Sequence, residues 1–159
     1  MRDASGITVT IPGWEKPLEV RRVVLDFNGT LARDGKLVRG VGERIRRLAR
    51  FVDVFVVTSD TYGTAQHSLS SLPVEVLIVR NGSEKRRLVE RMGDGNTVAI
   101  GNGNNDIPMF EAAALSIGVC GAEGASSLLL GSATIIVYGI TDALDLLLKP
   151  ERLGATLRR

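Results

Sequence analysis

VVLDFNGT, residues 23–30, joins an uninterrupted apolar run to a carboxylate, an amide and a glycine. Apolar residues at consecutive positions are typical of a strand that is covered on both faces, as in a parallel sheet. Asp26 stands where that strand ends, and Gly29 stands where the chain turns. Ligands of open parallel sheets bind beyond the carboxyl ends of the strands. The stretch therefore predicts both a buried strand and a functional site.

Further apolar runs follow this stretch and alternate with segments of helical period. The runs cover 23–27, 52–58, 74–79, 97–101, 115–119 and 133–137. The helix candidates between them cover 41–50, 61–71, 83–92, 107–113, 123–130 and 141–148. This alternation predicts an α/β fold with three layers, α/β/α, in which a mostly parallel sheet forms a Rossmann-like core.

The length of 159 residues suits one domain with a full hydrophobic core, so we predict a single domain over 1–159 with its core at 21–148. The alternating stretch ITVTI (7–11) precedes this core and is followed by the turn-like PGWEKP. It predicts an N-terminal hairpin extension within residues 1–20. The terminal RLGATLRR is interpreted as a helix end or a basic tail.

Composition excludes several classes of function. The 20 basic and 18 acidic residues give a net charge of +2, which is too small an excess to indicate a nucleic-acid-binding surface. The lone Cys120 and the lone His67 exclude a disulfide framework, a cysteine-based zinc cluster and a two-histidine metal site. No apolar stretch reaches the roughly 18 residues of a membrane helix, and the N-terminus lacks the apolar segment of a signal peptide. We predict a cytoplasmic protein that binds neither nucleic acid nor membrane.

Polar residues also end the other predicted strands. The second strand ends in Thr58-Ser59-Asp60, Lys85 follows the third, and GNGNND (101–106) follows the fourth. A carboxylate can attack phosphorus and form an aspartyl-phosphate when a cation screens the two anions. Mg²⁺ takes hard oxygen ligands, while a lysine, a hydroxyl and the N–H groups of a glycine turn can hold phosphoryl oxygens. The pattern indicates phosphoryl chemistry with Mg²⁺.

Taken together and in order, four segments resemble the motifs of the haloacid dehalogenase-like superfamily. They are Asp26-Phe27-Asn28-Gly29-Thr30, Thr58 after its strand, Lys85, and Gly101-Asn102-Gly103-Asn104-Asn105-Asp106. Within that superfamily, the first and last segments look most like the phosphorylation domain of P-type ATPases and its small soluble relatives. The resemblance implies a Mg²⁺-dependent phosphatase.

The resemblance also implies a role for each matching position. Asp26 would be the nucleophile and a metal ligand, and Asn28 stands where a second Asp usually acts as general acid/base and offers its carbonyl to the metal. Thr58 would donate its hydroxyl to the phosphoryl group, and Lys85 would neutralise the charges of the nucleophile and the phosphate. The other implied substrate-binding residues are Gly29, Thr30, Ser59 and Asn105, and the other implied metal ligands are Asn102 and Asp106.

Two positions depart from the pattern of the superfamily. Asn28 cannot transfer a proton, and the loss of general acid–base help commonly costs about 10²–10⁴-fold in rate. P-type ATPases carry a non-acidic residue there and use a long-lived aspartyl-phosphate. Asn102 removes one negative charge from the implied metal site, so Mg²⁺ affinity should fall unless Asp60 or another acid compensates. The alternative function is a catalytically weak regulatory or phosphate-binding module.

Purely structural interpretations compete with these roles. Residues 58–60 could cap the following helix, Asp106 could cap the next one, and Arg86 or Arg87 could take the role of Lys85. GNGNND could also be a dinucleotide-binding loop, but it lacks the third glycine of such a loop and follows the fourth core strand instead of the first. A response-regulator receiver also uses an Asp, a Thr or Ser and a Lys. Its phosphorylated Asp normally lies on a middle strand after an early acidic pair, and the order of residues here does not reproduce that arrangement.

Large members of the superfamily insert a cap domain after the first or the second motif. Here the intervals 26–58 and 58–85 are filled by core elements, with only a short flap at 32–40 left over. We therefore predict a capless protein with an open site. Its partner would be a phosphorylated small molecule or protein, and self-assembly into a homo-oligomer could cover the site.

Overall fold

The computed structural model describes residues 5–60 and 63–159. In chain order the strands are β1 (Ile7–Val9), β2 (Leu18–Val20), β3 (Arg22–Asp26), β4 (Ala32–Arg33), β5 (Lys36–Leu37), β6 (Asp53–Thr58), β7 (Glu75–Ile78), β8 (Thr97–Gly101), β9 (Leu115–Val119) and β10 (Ile135–Val137). The α-helices are α1 (Val41–Leu48), α2 (Thr64–Leu69), α3 (Gly82–Met92), α4 (Ile107–Ala112), α5 (Ser127–Ser132), α6 (Ile140–Leu148) and α7 (Pro150–Leu157). Short 3₁₀ turns at Asp94–Asn96 and Asn104–Asp106 precede β8 and α4.

Six of the strands form a parallel sheet in the order β10-β9-β8-β3-β6-β7. β3 lies in the interior of this sheet, where Leu25 pairs with Val56 of β6 and with Ile100 of β8. The apolar residues of β3 are fully buried, as the run in the sequence predicts. This arrangement places Asp26 at the carboxyl end of a central strand.

Helices cover both faces of the sheet. Alternate residues of a strand point to opposite faces. Val23 and Leu25 accordingly share a core with α1 and α6, whereas Val24 packs with α3 and α4. On the first face, Arg44 of α1 donates two hydrogen bonds of 2.8 and 3.0 Å to the Asp145 carboxylate of α6. The predicted three-layer α/β/α architecture with a parallel sheet is confirmed.

The ends of the described chain pack against each other. β1 and β2 form the predicted antiparallel hairpin. A Cβ on Gly154 of α7 would collide with the Thr10 carbonyl oxygen, so the helix backbone lies directly against the chain that leaves β1. Of the two interpretations of the terminal segment, the helical one is correct. No helix in the described ranges is both long and apolar enough to span a membrane.

Two segments differ from the prediction. The flap at 32–40 contains the hairpin β4–β5, because Asp34 and Gly35 adopt the positive φ values, 50° and 74°, that a tight hairpin turn requires. The helix predicted over 123–130 begins only at Ser127, because Gly124 turns the chain first with a φ of 79°. The predicted start of the helix at 61–71 lies outside the described residues. In the described chain, the hairpin β4–β5 is the only element between β3 and α1, so the fold has no cap there.

Candidate active site

Three charged side chains meet at the carboxyl end of β3. Lys85 Nζ donates hydrogen bonds to Asp26 Oδ1 over 2.8 Å and to Asp106 Oδ1 over 2.7 Å. All three residues are buried, with exposed fractions of 7% for Asp26, 1% for Lys85 and 0% for Asp106. One ammonium between two carboxylates leaves the cluster with a net negative charge, which favours the binding of a cation beside it.

The start of α3 brings Lys85 to this cluster. Asn81 caps the helix, and its Oδ1 accepts the N–H of Glu84 over 3.0 Å. A Cβ on Gly82 would lie 2.6 Å from the Asn105 carbonyl oxygen, so only a glycine lets α3 approach the 3₁₀ turn this closely. The first turn of α3 therefore carries Lys85 into the space between β3 and the 3₁₀ turn.

Asp106 holds the loop that follows β8. Its Oδ2 accepts the backbone N–H groups of Asn102 and Gly103, each over 3.0 Å. A Cβ on Gly101 would lie 2.5 Å from the same carboxylate, which explains the glycine at that position. Asp106 precedes α4 but makes no side-chain capping bond to it, so the capping interpretation does not describe its contacts. Both oxygens of Asp106 therefore have partners: Oδ2 accepts from the loop N–H groups, and Oδ1 accepts from Lys85 Nζ.

The surroundings of the cluster raise the pKa values of both Asp26 and Lys85. Burial, and then the charge of Asp106, raise the pKa of Asp26 from 3.8 to about 6, although Lys85 and Thr30 act in the opposite direction. Burial disfavours the ammonium of Lys85, but the charges of Asp26 and Asp106 outweigh this and raise its pKa. Lys85 therefore stays protonated at neutral pH, while Asp26 is held as a carboxylate against a desolvation cost that a bound cation would offset.

The chain after Asp26 contacts the loop after β8. The Thr30 hydroxyl lies 3.1 Å from Asp26 Oδ2 and 3.2 Å from Asn102 Oδ1. Asn102 Nδ2 also donates to the Gly124 carbonyl over 3.1 Å. Gly29 has a φ of 76°, and a Cβ there would collide with the Asn102 amide. Gly29, Thr30 and Asn102 thus lie together beside Asp26, and their implied roles stay predictions.

The remaining predicted residues surround the cluster at different depths. Thr58 is buried at the end of β6, one position past the residue that pairs with Asp26. Within the described residues its hydroxyl has no hydrogen-bond partner, which leaves it able to donate to a ligand. Asn28, Ser59 and Asn105 are exposed. No recorded hydrogen bond joins the side chain of Asn28 or Asn105 to the buried carboxylates, and the roles of both stay predictions.

Similarity to known proteins agrees with this geometry. A family model described as haloacid dehalogenase-like hydrolase matches residues 87–128. An uncharacterized protein of Methanocaldococcus jannaschii is 46% identical over 84 residues, which are 48% of this chain and 90% of that protein. This chain belongs to the haloacid dehalogenase-like superfamily.

Solved structures of the superfamily share the fold. A putative HAD family hydrolase from Streptomyces avermitilis superposes with a TM-score of 0.68 at 22% identity, over 87% of both chains. A 3-deoxy-D-manno-octulosonate 8-phosphate phosphatase from Moraxella catarrhalis, in complex with magnesium ion, phosphate ion and KDO, superposes with a TM-score of 0.67 at 11% identity. That likeness covers 86% of this chain and 90% of the phosphatase. At these identities the two structures establish the haloacid dehalogenase-like fold.

Oxygen atoms suited to Mg²⁺ converge beside Asp26 in this haloacid dehalogenase-like site. Asp26 Oδ2 and Asn102 Oδ1 both lie within hydrogen-bond distance of the one Thr30 hydroxyl. A carboxylate and an amide oxygen, together with a backbone carbonyl and waters, are a set that Mg²⁺ accepts. Among the described residues no three His, Cys, Asp or Glu side chains cluster closely enough to form a metal site of their own. Asp26 and Asn102 therefore fit Mg²⁺, in a site whose ligands carry little negative charge.

Neither neighbouring acid is free to restore the charge that Asn102 lacks. Direct ligation by Asp106 requires one of its oxygens to leave Lys85 or the loop N–H groups. Asp60 caps α2, where its two carboxylate oxygens accept the N–H groups of Thr64 and Ala65 over 3.0 and 2.9 Å. The capping interpretation of Asp60 is thus confirmed, and both of its carboxylate oxygens are engaged by the helix.

The loop after β9 also shapes the site, and the sequence-based prediction omits it. Besides the contact of Gly124 with Asn102, the Ser126 N–H donates to the Asn102 carbonyl over 2.8 Å, and the Ser126 hydroxyl contacts Asn104. The signal is present in the sequence as the glycine-rich GAEGAS (121–126), which follows a buried strand. Such a loop lies at the ligand-binding edge of a parallel sheet.

Proposed function

We propose that this protein is a Mg²⁺-dependent phosphatase that works through an aspartyl-phosphate on Asp26. The observation that carries the proposal is the buried carboxylate of Asp26, held by Lys85 at the carboxyl end of the central strand. The partner would be a phosphorylated small molecule or protein. Membership of the superfamily supports the proposal, and the resemblance to the phosphorylation domain of P-type ATPases accounts for Asn28.

Each residue has a defined part in the proposed reaction. An oxygen of Asp26 attacks phosphorus, the bond from phosphorus to the leaving-group oxygen breaks, and that oxygen takes a proton from water. A second water then attacks phosphorus, which releases inorganic phosphate and restores the Asp26 carboxylate. Lys85 and the Thr58 hydroxyl hold the phosphoryl oxygens throughout. Mg²⁺, held by Asp26, Asn102, the Asn28 carbonyl and any oxygen that Asp106 releases, would supply positive charge between the two anions.

A turnover and labelling experiment tests the proposal. We expect the protein to hydrolyse p-nitrophenyl phosphate and acetyl phosphate with added Mg²⁺ but not in EDTA. Brief reaction with ³²P-labelled acetyl phosphate should leave a label on the protein that survives acid and is released by hydroxylamine, which is the behaviour of an acyl phosphate. Absence of both turnover and label would exclude the phosphatase.

The position of Asn28 predicts that an acid restores fast hydrolysis. Asn28 is exposed two residues after the nucleophile, where a carboxyl group could reach both the leaving group and water. Asn28→Asp should raise kcat for p-nitrophenyl phosphate by about 10²-fold, at the lower end of general acid–base contributions. Asn104→Asp is the matched control, because it adds the same charge in a neighbouring loop and keeps the Oδ1 that accepts from Ser126. An equal rate for Asn28→Asp and the wild type would contradict this role.

The low charge of the metal site favours a second candidate, a catalytically weak module that binds phosphate or a phosphorylated partner. Of the implied metal ligands only Asp26 and Asp106 are acids, and both are bound to Lys85. Calorimetric titration with inorganic phosphate and Mg²⁺ separates the candidates. Binding without turnover or label, lost in Asp26→Asn, would favour the module.

A further inference from the structure

A cavity of about 210 Å³ opens beside the nucleophile loop, and we call it the side pocket. It lies between the hairpin β4–β5, the loop after β9 and the chain that enters α6. Its walls include Val38, Val119, Ala122, Tyr138 and Ile140. The predicted site does not use these residues, because they are far from the four motifs in the sequence.

The side pocket borders the candidate active site. Gly29 and Thr30 line it, and the Thr30 hydroxyl lies 3.1 Å from Asp26 Oδ2. Thr30 therefore contacts the Asp26 carboxylate and also forms part of the pocket wall. The pocket is also built by a tertiary contact, since Glu123 Oε2 accepts the Asp34 N–H over 3.2 Å and ties the loop after β9 to the hairpin.

The chemistry of the walls favours an uncharged, apolar occupant. The exposed surface of the lining is mainly apolar, and Arg33 and Glu123, which also line the pocket, have opposite charges. The pocket therefore has no excess of positive charge for a second phosphate or a carboxylate. Tyr138 is 89% exposed, and its ring is free to pack against another ring, a contact that adds to the burial of apolar area.

We infer that the side pocket binds the organic group of a phosphate monoester, and that this group is neutral and apolar, such as an aryl or branched alkyl group. The inference rests on the proposed function, because it assigns the leaving group of that reaction. A capless site would then select its substrate with a pocket built from its own core loops, and small phosphorylated molecules would be preferred over phosphorylated proteins.

A substitution that fills the side pocket tests this inference. Ala122→Trp should raise the KM for p-nitrophenyl phosphate relative to the KM for acetyl phosphate by about tenfold, since only the first leaving group carries a ring to displace. Ala155→Trp is the matched control on the distant α7, and its KM ratio should equal that of the wild type. Equal effects of Ala122→Trp on both substrates, or no effect on either, would overturn the inference.

A binding measurement keeps the inference testable if no substrate is turned over. We expect phenylphosphonate to shift the methyl NMR signals of Val38, Val119 and Ile140 in the wild type, and methylphosphonate to shift them much less. Shifts of equal size from the two phosphonates would overturn the side pocket assignment. Turnover without such selectivity would contradict only the pocket, whereas selective shifts without turnover or label would contradict only the proposed phosphatase.

Discussion

Asp26→Asn is expected to abolish turnover and, in the absence of metal, to stabilise the protein. The activity should fall by about 10⁴-fold or more, because an amide cannot attack phosphorus. Asp106, the other acid beside Lys85, already uses both of its oxygens to hold Lys85 and the loop after β8. The acid-stable label should disappear with the turnover. Turnover within tenfold of the wild type would show that Asp26 is not the nucleophile.

The expected gain in stability follows from the pKa of Asp26. Its pKa is raised from 3.8 to about 6 in the folded protein, so the folded state binds a proton more tightly than the unfolded state. The contribution of this group to stability is complete below pH 3.8 and is lost as the pH rises through 6. At pH 8 the charged carboxylate then costs about 3 kcal/mol, which Asp26→Asn removes.

Urea unfolding in EDTA at pH 8 and at pH 4 measures this effect. Asp26→Asn should be more stable than the wild type at pH 8, and the difference should shrink at pH 4. EDTA is needed because a bound cation stabilises only the form that carries the carboxylate. A variant that is less stable than the wild type at pH 8 would contradict the assigned cost.

Lys85→Met should destabilise the protein by about 3–5 kcal/mol at pH 8 and should also abolish turnover. The side chain is 1% exposed, and its Nζ is the shared partner of Asp26 and Asp106. Methionine keeps the volume but leaves two buried carboxylates facing each other without a cation. The deficit should be smaller at pH 5, where Asp26 can take up a proton.

Two further variants test the electrostatic cause of this loss. Arg86→Met removes a positive charge from the next position of α3, where the side chain is exposed and bound to Glu90 and Glu111, and it should unfold at nearly the wild-type urea concentration. Adding Asp106→Asn to Lys85→Met should recover part of the lost stability, because it removes one of the two buried carboxylate charges that Lys85 no longer compensates. A double variant no more stable than Lys85→Met would show that the loss arises from packing.

Much of the fold is predictable because its signals are local. Val23–Leu25 must be buried on both faces, and the periods of the other segments identify the strands and the helices that cover them. The hairpin β4–β5 is different, because the pattern at 32–40 contains only two residues in each strand. Its turn depends on the backbone of Asp34 and Gly35, and on the Glu123 carboxylate that binds the Asp34 N–H.

The candidate site is predictable as a set of residues but not as a set of contacts. Asp26, Lys85 and Asp106 all stand where strands end or helices begin, so a parallel sheet brings them to one edge. The sequence does not reveal that Asp106 uses both of its oxygens to hold Lys85 and the loop after β8. Nor does it reveal which of two uses Asp60 serves, since a helix cap and a metal ligand need the same side chain.

The sequence by itself determined the α/β architecture, the strand that ends at Asp26 and the residue types available for chemistry. These follow from periodicity and from the chemistry of individual side chains. Only the tertiary structure decided that Lys85 links two buried carboxylates, that Asn102 shares the Thr30 hydroxyl with Asp26, and that a side pocket opens beside them. Those features are made by residues that are distant in the chain, and the packing of the loops against one another sets the distances between them.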